Sequence, residues 1–374
     1  MQRVALSWLV FELTGSALFV ALSYSLPQVS FVLLGPFVGA VADRVNRKYL
    51  LISAVGMMGI GMVGLSLLVY TASEAIWPVI SIAMILGVAM STYFLCVQAL
   101  VLDVVEREDA MNGLSLWWVG MRAVSAIGAV ISGVVIDRTG TWPAFMAAAV
   151  LFGLAILAIS LMRHRPKPRT VRPLAVLPEL RAGFNHIFRS RELAALLVVA
   201  LVVEAFGWGT PSLLAIFASD RVFDVGATGL GILSAAFSLG GMFGAAILAN
   251  FGDFRQKGLG LFIVVLIASI FLVGFSQAPW FPLAAILLAG LGAGLAAFDT
   301  LNTVLILGNV ADEMRGRALG ALQIPVGIAP VGPLLMGFVA GVLGVQAAVS
   351  LGAVVVLVVA FSVWLIVPGV RRLE

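Results

Sequence analysis

Three ionisable residues lie inside long apolar segments of the sequence: Arg122, Glu204 and Asp299. Each costs free energy in an apolar setting unless it faces a cavity or a partner, so each is a candidate functional group. A buried carboxyl group can bind and release a proton, and a buried guanidinium can bind an anion or act on a nearby carboxylate. These residue types therefore favour a site that moves protons or a charged solute.

Each of the three also has a structural interpretation. Glu204 is either a proton-coupling carboxylate or half of a structural pair with Arg122. Arg122 either binds an anionic substrate, modulates a carboxylate or forms that pair. Asp299 is either a second proton or substrate group or a buried, hydrogen-bonded helix residue. A fourth charge, Arg3, lies in the apolar stretch at the start of the chain.

Aromatic residues occur near these charges in the sequence. They could form a wall for a lipophilic or aromatic substrate, although such residues also face lipid or fill a core. The residues are Tyr93, Phe94, Trp117, Trp118, Phe206 and Trp208.

The composition predicts a membrane protein. Of 374 residues, 62% are hydrophobic and 11% charged, whereas soluble domains have roughly 45–50% apolar and about 25% charged residues. The single cysteine, Cys96, excludes a disulfide framework, and we assign no role to the only two histidines, His164 and His186. We predict no metal and no cofactor.

A bilayer-spanning helix needs about 20 mostly apolar residues. Eleven runs satisfy this requirement, and a twelfth from Val4 to Leu13 is only about half a span, so we expect the first helix to be truncated or the start residue misassigned. The complete runs are approximately 17–41, 49–70, 75–102, 113–136, 142–162, 193–217, 227–250, 259–276, 280–308, 316–341 and 342–367.

The basic residues support this segmentation, because Lys and Arg accumulate in cytoplasmic loops. Of the 22 Lys and Arg residues, Arg3 and Arg122 lie in spans, and only Arg138 and Arg221 fall in one set of alternate loops. All others fall in the opposite set or at the C-terminus, which predicts cytoplasmic N- and C-termini. The net charge of +4 is then explained by topology, and we predict no nucleic-acid partner.

The longest polar stretch divides the chain into two groups of six spans. We predict an N-terminal six-helix bundle at 1–162, a basic cytoplasmic linker at 163–191 and a C-terminal six-helix bundle at 192–374. The linker is either an interfacial cationic helix or a plain connection. Asp43 and Arg47 in the first half correspond by one constant shift to Asp253 and Lys257 in the second, which is typical of transporters built from repeats.

The segment GAVADRVNRK between spans two and three resembles the loop motif of the major facilitator superfamily. Its motif residues are Gly39, Asp43, Arg44, Arg47 and Lys48. The departure from the motif is Asn46 in place of a second glycine, and we expect Asn46 to adopt a left-handed turn. The resemblance implies a latch that closes the cytoplasmic side when the protein faces outward.

Three further segments are similar to the bacterial efflux branch that includes enterobactin exporters and macrolide-efflux-like carriers. They are FELTGS at 11–16, VVEREDAMN at 104–112 and ADEMRGRALG at 311–320. The resemblance implies an all-α major facilitator fold of two six-helix bundles in the bacterial cytoplasmic membrane. It also implies export of a small substrate by alternating access.

The sequence predicts a transporter and not an enzyme. It contains no phosphate-binding Gly-rich loop, and its loops are too short for a catalytic domain. We therefore predict proton-coupled export of a small amphipathic compound such as a drug or siderophore, with the lipid bilayer, the substrate and protons as partners. The alternatives are a facilitator or importer, or a non-transporting, truncated membrane paralogue. No pattern in the sequence predicts an oligomeric state.

Overall fold

The chain folds almost entirely into membrane-length helices. The computed structural model describes residues 1–72, 75–105, 109–162, 190–250, 256–310, 318, 322 and 325–373, with side chains 31–44 and a few others inside helices excluded. Ten helices of these residues are long and apolar enough to cross a membrane. All of the regular structure in the described ranges is helical.

Twelve helical segments follow one another, and we number them in chain order. They are α1 (Gln2–Thr14), α2 (Ala17–Arg44), α3 (Arg47–Tyr70), α4 (Ile76–Val104), α5 (Ala110–Thr139), α6 (Thr141–Leu161), α7 (Arg191–Ala218), α8 (Gly226–Asn250), α9 (Lys257–Ser276), α10 (Phe281–Gly308), α11 (Val331–Leu343) and α12 (Val345–Ile366). A short 3₁₀ helix, Pro368–Arg372, follows α12.

The first helix is as short as the sequence predicts. The 13 residues of α1 are fewer than a full span requires. The helix ends at Gly15, whose φ of 57° is left-handed and whose N–H donates to the Phe11 carbonyl at 2.7 Å. A glycine adopts this conformation without steric cost, so α2 can start at once in the opposite direction.

The helices place most basic residues on one side of the bundle. We call the side that carries Arg47, Lys48, Lys257 and Arg371 the basic face, and the side with the α1–α2, α5–α6 and α11–α12 junctions the opposite face. Large apolar side chains between the two faces are exposed, for example Ile60 at 76%. Such a belt is the surface that a lipid bilayer would cover.

One expected turn differs from the structure. Asn46 does not adopt a left-handed conformation; its φ is −60° and its ψ is 117°. It is the N-cap of α3, and its side-chain oxygen accepts a hydrogen bond from Lys48 N at 3.0 Å. Asn at this position therefore satisfies a free N–H at the start of a helix, which is a different reason for tolerating the loss of glycine.

The halves before and after residue 162 touch mainly through two helix pairs, α5 with α8 and α2 with α11. A Cβ on Gly133 would clash with the Ala227 carbonyl, and one on Gly231 would lie 2.5 Å from the Ala129 carbonyl oxygen. A Cβ on Gly337 would lie 2.6 Å from the Ala21 Cβ. Small residues therefore bring the backbones together, as is usual where membrane helices cross closely.

These close contacts lie toward the opposite face. Gly133 is near the end of α5 and Ala227 near the start of α8, and Gly337 packs on Ala21 near the start of α2. Among the described residues α4 packs chiefly against α1, α2, α3 and α5, and α10 packs chiefly against α7, α8 and α9. Among the described residues, the closest backbone contacts between the halves therefore lie toward the opposite face, while α4 and α10 remain with their own halves.

We predict that Gly231→Leu destabilises the fold. The new side chain would press on the backbone of α5, and such overpacking costs about 1–3 kcal/mol. Thermal unfolding of the purified protein in detergent measures the effect. Gly153→Leu is the matched control, because a Cβ there meets nothing within 4 Å; equal unfolding temperatures for the two variants would contradict the packing described here.

Candidate functional site

The seventh helix changes its winding where Glu204 lies. The α-helical part, Arg191–Val202, is followed by a π turn at Val203–Gly207 and a 3₁₀ turn at Thr210–Leu213. Trp208 N donates to the Val203 carbonyl at 3.2 Å, which closes the wider turn. The sequence predicted one continuous span here, and nothing in its apolar pattern indicates the change. Such π turns occur often at functional sites.

A glycine of α11 packs on this π turn. A Cβ on Gly332 would clash with the Ala205 carbonyl, and Gly209 faces the same carbonyl together with Pro333. The backbone of α11 therefore supports the segment that carries Glu204.

The Arg122 guanidinium lies between the two halves of the molecule. It is about 18 Å along α5 from the start of that helix at Ala110, given the helical rise. A Cβ on Gly241 of α8 would clash with its Nη1 atom. Its Cζ lies 5.3 Å from the centre of the Trp208 ring, which is cation–π distance. The guanidinium thus occupies a space in α8 that only glycine leaves open.

The electrostatic partner of Arg122 is Asp299, not Glu204. Asp299 attracts the guanidinium and repels the Glu204 carboxylate. No carboxylate oxygen of the described residues lies within 4.0 Å of Arg122, so the structure shows no close ion pair between Arg122 and Glu204. The three residues, which the sequence scatters over α5, α7 and α10, nevertheless form one charge cluster.

Each member of this cluster is partly exposed and none is fully buried. All three lie in the interior of transmembrane helices, where lipid does not offer hydrogen bonds. The Arg122 guanidinium beside Asp299 offsets part of the cost of holding two carboxyl groups among apolar helices.

Trp208 links the cluster to the first half. Its indole nitrogen interacts with Asp299, although no acceptor among the described residues completes a hydrogen bond to it. Its carbonyl accepts a long hydrogen bond of 3.5 Å from the Tyr24 hydroxyl of α2. The Arg3 guanidinium lies 5.9 Å from the Tyr24 ring centre. Tyr24 was not identified from the sequence, because a single tyrosine in an apolar run does not differ from the many that have no functional role.

The aromatic residues do not form one wall. Phe94, Trp117 and Trp118 contact one another with ring centres 4.8–5.6 Å apart, and Trp118 is 40% exposed. Tyr93 interacts with Trp117 and belongs to this group. Trp208 instead meets Phe237 edge to face at 5.4 Å. Only Trp208, of the predicted aromatics, touches the charge cluster.

On the basic face, two motif residues bind within the first half. Arg47 Nη1 lies 3.0 Å from Asp103 Oδ2 at the end of α4. Lys48 Nζ donates to the carbonyls of Ser160 and Met162, both at 2.7 Å, at the end of α6. A cation at a helix C-terminus satisfies free carbonyls and opposes the helix dipole. The sequence did not single out Asp103.

Other predicted motif residues lie outside what the structure describes. Gly39, Asp43 and Arg44 belong to the backbone of α2, but their side chains are not among the described ones. Asp253, the linker at 163–189 and the segments 106–108 and 311–317 are also outside the described residues. Lys257 is the first residue of α9 and has an interaction partner.

Comparisons with known proteins agree with the fold. Residues 1–371 match the model of the family described as transmembrane secretion effector. The enterobactin exporter EntS of Shigella flexneri is 26% identical over 364 residues, which cover 96% of this chain and 82% of the relative. The multidrug resistance protein MdtG of Salmonella choleraesuis strain SC-B67 is 25% identical and covers 92% and 84% of the two chains.

Solved structures show the same architecture at low identity. The nucleoside transporter NupG has a TM-score of 0.73 and 16% identity, covering 97% of this chain and 96% of its own. A bacterial homologue of the lysosomal transporter Spinster, solved in an inward-facing and occupied conformation, has a TM-score of 0.70 and 14% identity, with 99% and 95% covered. The chain belongs to the transmembrane secretion effector family, within the major facilitator superfamily of membrane transporters.

Proposed function

We propose that the protein exports a small amphipathic compound and that inward proton movement drives the export. The cluster of Arg122, Glu204 and Asp299 carries this proposal, because it brings two carboxyl groups and one guanidinium within electrostatic reach of one another inside membrane-spanning helices. A carboxyl group in such a place can bind a proton from one side and release it to the other. The names of the relatives EntS and MdtG support the direction and a drug-like or siderophore-like substrate.

The roles within the cluster follow from its contacts. Glu204 is the proposed proton carrier, since it lies on the irregular turn of α7 and has no cation against it. Asp299 is the second proton or substrate group, and Arg122 holds it through electrostatic attraction. Trp208 offers the substrate a ring face and an indole N–H that has no other completed bond among the described residues. Tyr93, Trp117 and Trp118 form a separate aromatic surface for an apolar part of the substrate.

The position of the contacts between the two halves supports alternating access. The halves meet at the opposite face, and the positive-inside rule assigns the basic face to the cytoplasm. We infer that the bundle at 1–162, the linker at 163–191 and the bundle at 192–374 form a transporter with both termini on the cytoplasmic side; the described close contacts between its halves lie away from that side. We further propose that Gly39, Asp43, Arg44, Arg47 and Lys48, with the counterparts Asp253 and Lys257, close the basic face in the outward-facing state.

The first prediction concerns the replacement of Glu204 by Gln. The purified full chain is placed in liposomes with a pH-sensitive dye inside and a panel of lipophilic drugs and siderophores is added under a proton gradient. We expect one or more compounds to provoke proton movement in the parent protein and none to do so in Glu204→Gln, because the amide cannot carry the proton.

Glu192→Gln is the matched control, since it makes the same change in the same helix, about 18 Å nearer the basic face. It should behave as the parent. Undiminished proton movement in folded Glu204→Gln would end the proposed role. Substrate flux without any proton movement in the parent would favour the facilitator instead.

The second prediction concerns the space that Gly241 leaves for Arg122. Gly241→Ala would displace the guanidinium from Trp208 and Asp299, while the flexible side chain can move without unfolding the protein. We expect proton-coupled transport to fall roughly tenfold, because sites are sensitive to displacements of about 1 Å.

Gly120→Ala is the control for helix propensity, because a Cβ at position 120 of α5 meets nothing within 4 Å. It should leave transport unchanged. A Gly241→Ala protein that transports as the Gly120→Ala protein does would show that the position of Arg122 is unimportant.

A further inference from the structure

The carboxylate of Asp137 joins the two halves at the opposite face. Asp137 lies near the end of α5, in the first half, and α8 begins beside it in the second. Its Oδ1 accepts a hydrogen bond from Ala227 N at 2.9 Å, and its Oδ2 accepts one from Thr228 N at 2.7 Å. The residue thus caps a helix that belongs to the other half of the chain.

The cap satisfies groups that the helix itself cannot. The first N–H groups of a helix have no partner within it, and the positive end of the helix dipole attracts an anion. Gly226 has a φ of 66°, and a Cβ there would lie 3.0 Å from Asp137 Oδ1. Glycine at this position therefore lets the carboxylate reach the N-terminus of α8.

No competing cation holds Asp137 in place. Among the residues that the structure describes, no Lys or Arg nitrogen lies within 4.0 Å of its carboxylate. The side chain is exposed, so water can replace both hydrogen bonds when the helices separate. The two hydrogen bonds therefore stabilise contact between the halves at the opposite face, and they can break again when the halves separate.

The position of the cap relates it to closure. One helical turn deeper, Gly133 packs against the Ala227 carbonyl, and Gly231 packs against the Ala129 carbonyl. These backbone contacts of α5 and α8 have no other hydrogen-bonded side chain that spans them among the described residues. The charged cap therefore sits at the water-facing end of an apolar contact between the halves.

We propose that Asp137 is a positioning residue, a latch that holds the opposite face shut and must release α8 each time the transporter opens there. The inference rests on the alternating access of the proposed function, but neither on its substrate nor on its coupling ion. According to this proposal, one step of the conformational cycle is the breaking of the hydrogen bonds between Asp137 and the N-terminus of α8.

The test measures the separation of the halves directly. Spin labels are attached at Thr71→Cys and Gln277→Cys, two exposed positions at the opposite face, one in each half. Cys96, the only native cysteine, is replaced by Ser. Double electron–electron resonance on the full chain in lipid nanodiscs then gives the ratio of the long-distance to the short-distance population.

Two variants give a graded response. Asp137→Ala removes both acceptors, and we expect the ratio to rise about tenfold, as for loss of a helix cap. Asp137→Asn keeps one acceptor oxygen and loses the charge, so the rise should be smaller, about threefold. Because Asn nearly preserves the size of Asp, it also supplies the result if the Ala variant does not fold.

Asp224→Asn is the matched control. It makes the same chemical change in an exposed residue of the same face, at a φ of 51° that Asn tolerates. Its ratio should equal that of the labelled parent. Ratios for both Asp137 variants within twofold of this control would overturn the proposal. A rise in the ratio with no transport of any compound would leave the latch standing and contradict the proposed function alone.

Discussion

The absence of water around the middle of the molecule constrains the rest of the structure. Backbone groups in lipid must bond within the chain, which leaves helices as the form for every described span. Charges in the same region must find each other or reach an internal water-filled space. Arg122, Asp299 and Glu204 lie close enough to interact electrostatically, and the neighbouring elements make room for them.

That room is made by the removal of side chains. Gly241 leaves the volume that the Arg122 guanidinium fills, and Gly332 lets α11 support the π turn of α7. Gly133 and Gly231 do the same for the backbones of α5 and α8. Glycine therefore serves both purposes: because it has no Cβ, it allows helices to pack closely and leaves space for a charged side chain.

Much of the fold could be predicted from the sequence because the signals are long and periodic. Apolar runs of span length predicted the membrane-spanning helices, and the short first helix was visible as a run of ten residues. The membrane requirement is strong enough that tertiary packing rarely overrides it. The resemblance of a few loop motifs sufficed for the superfamily.

The site could be predicted only as separate residues. Arg122, Glu204 and Asp299 were identified by their cost in an apolar span, but which of them meet depends on helix rotation and on contacts between halves. The electrostatic attraction between Arg122 and Asp299, the cap formed by Asn46 and the bond from Arg47 to Asp103 are such cases. Each joins segments or conformations that local residue patterns do not specify.

The π turn at Val203–Gly207 has a geometric consequence for Glu204. A π turn contains one residue more than the same turn of an α-helix, and each residue rotates an α-helix by about 100°. Moving the extra residue past position 204 would swing this carboxylate through about that angle around the helix axis. Both ends of α7 could stay where they are, so one carboxyl group could change the direction it faces while the helix remains seated in its bundle.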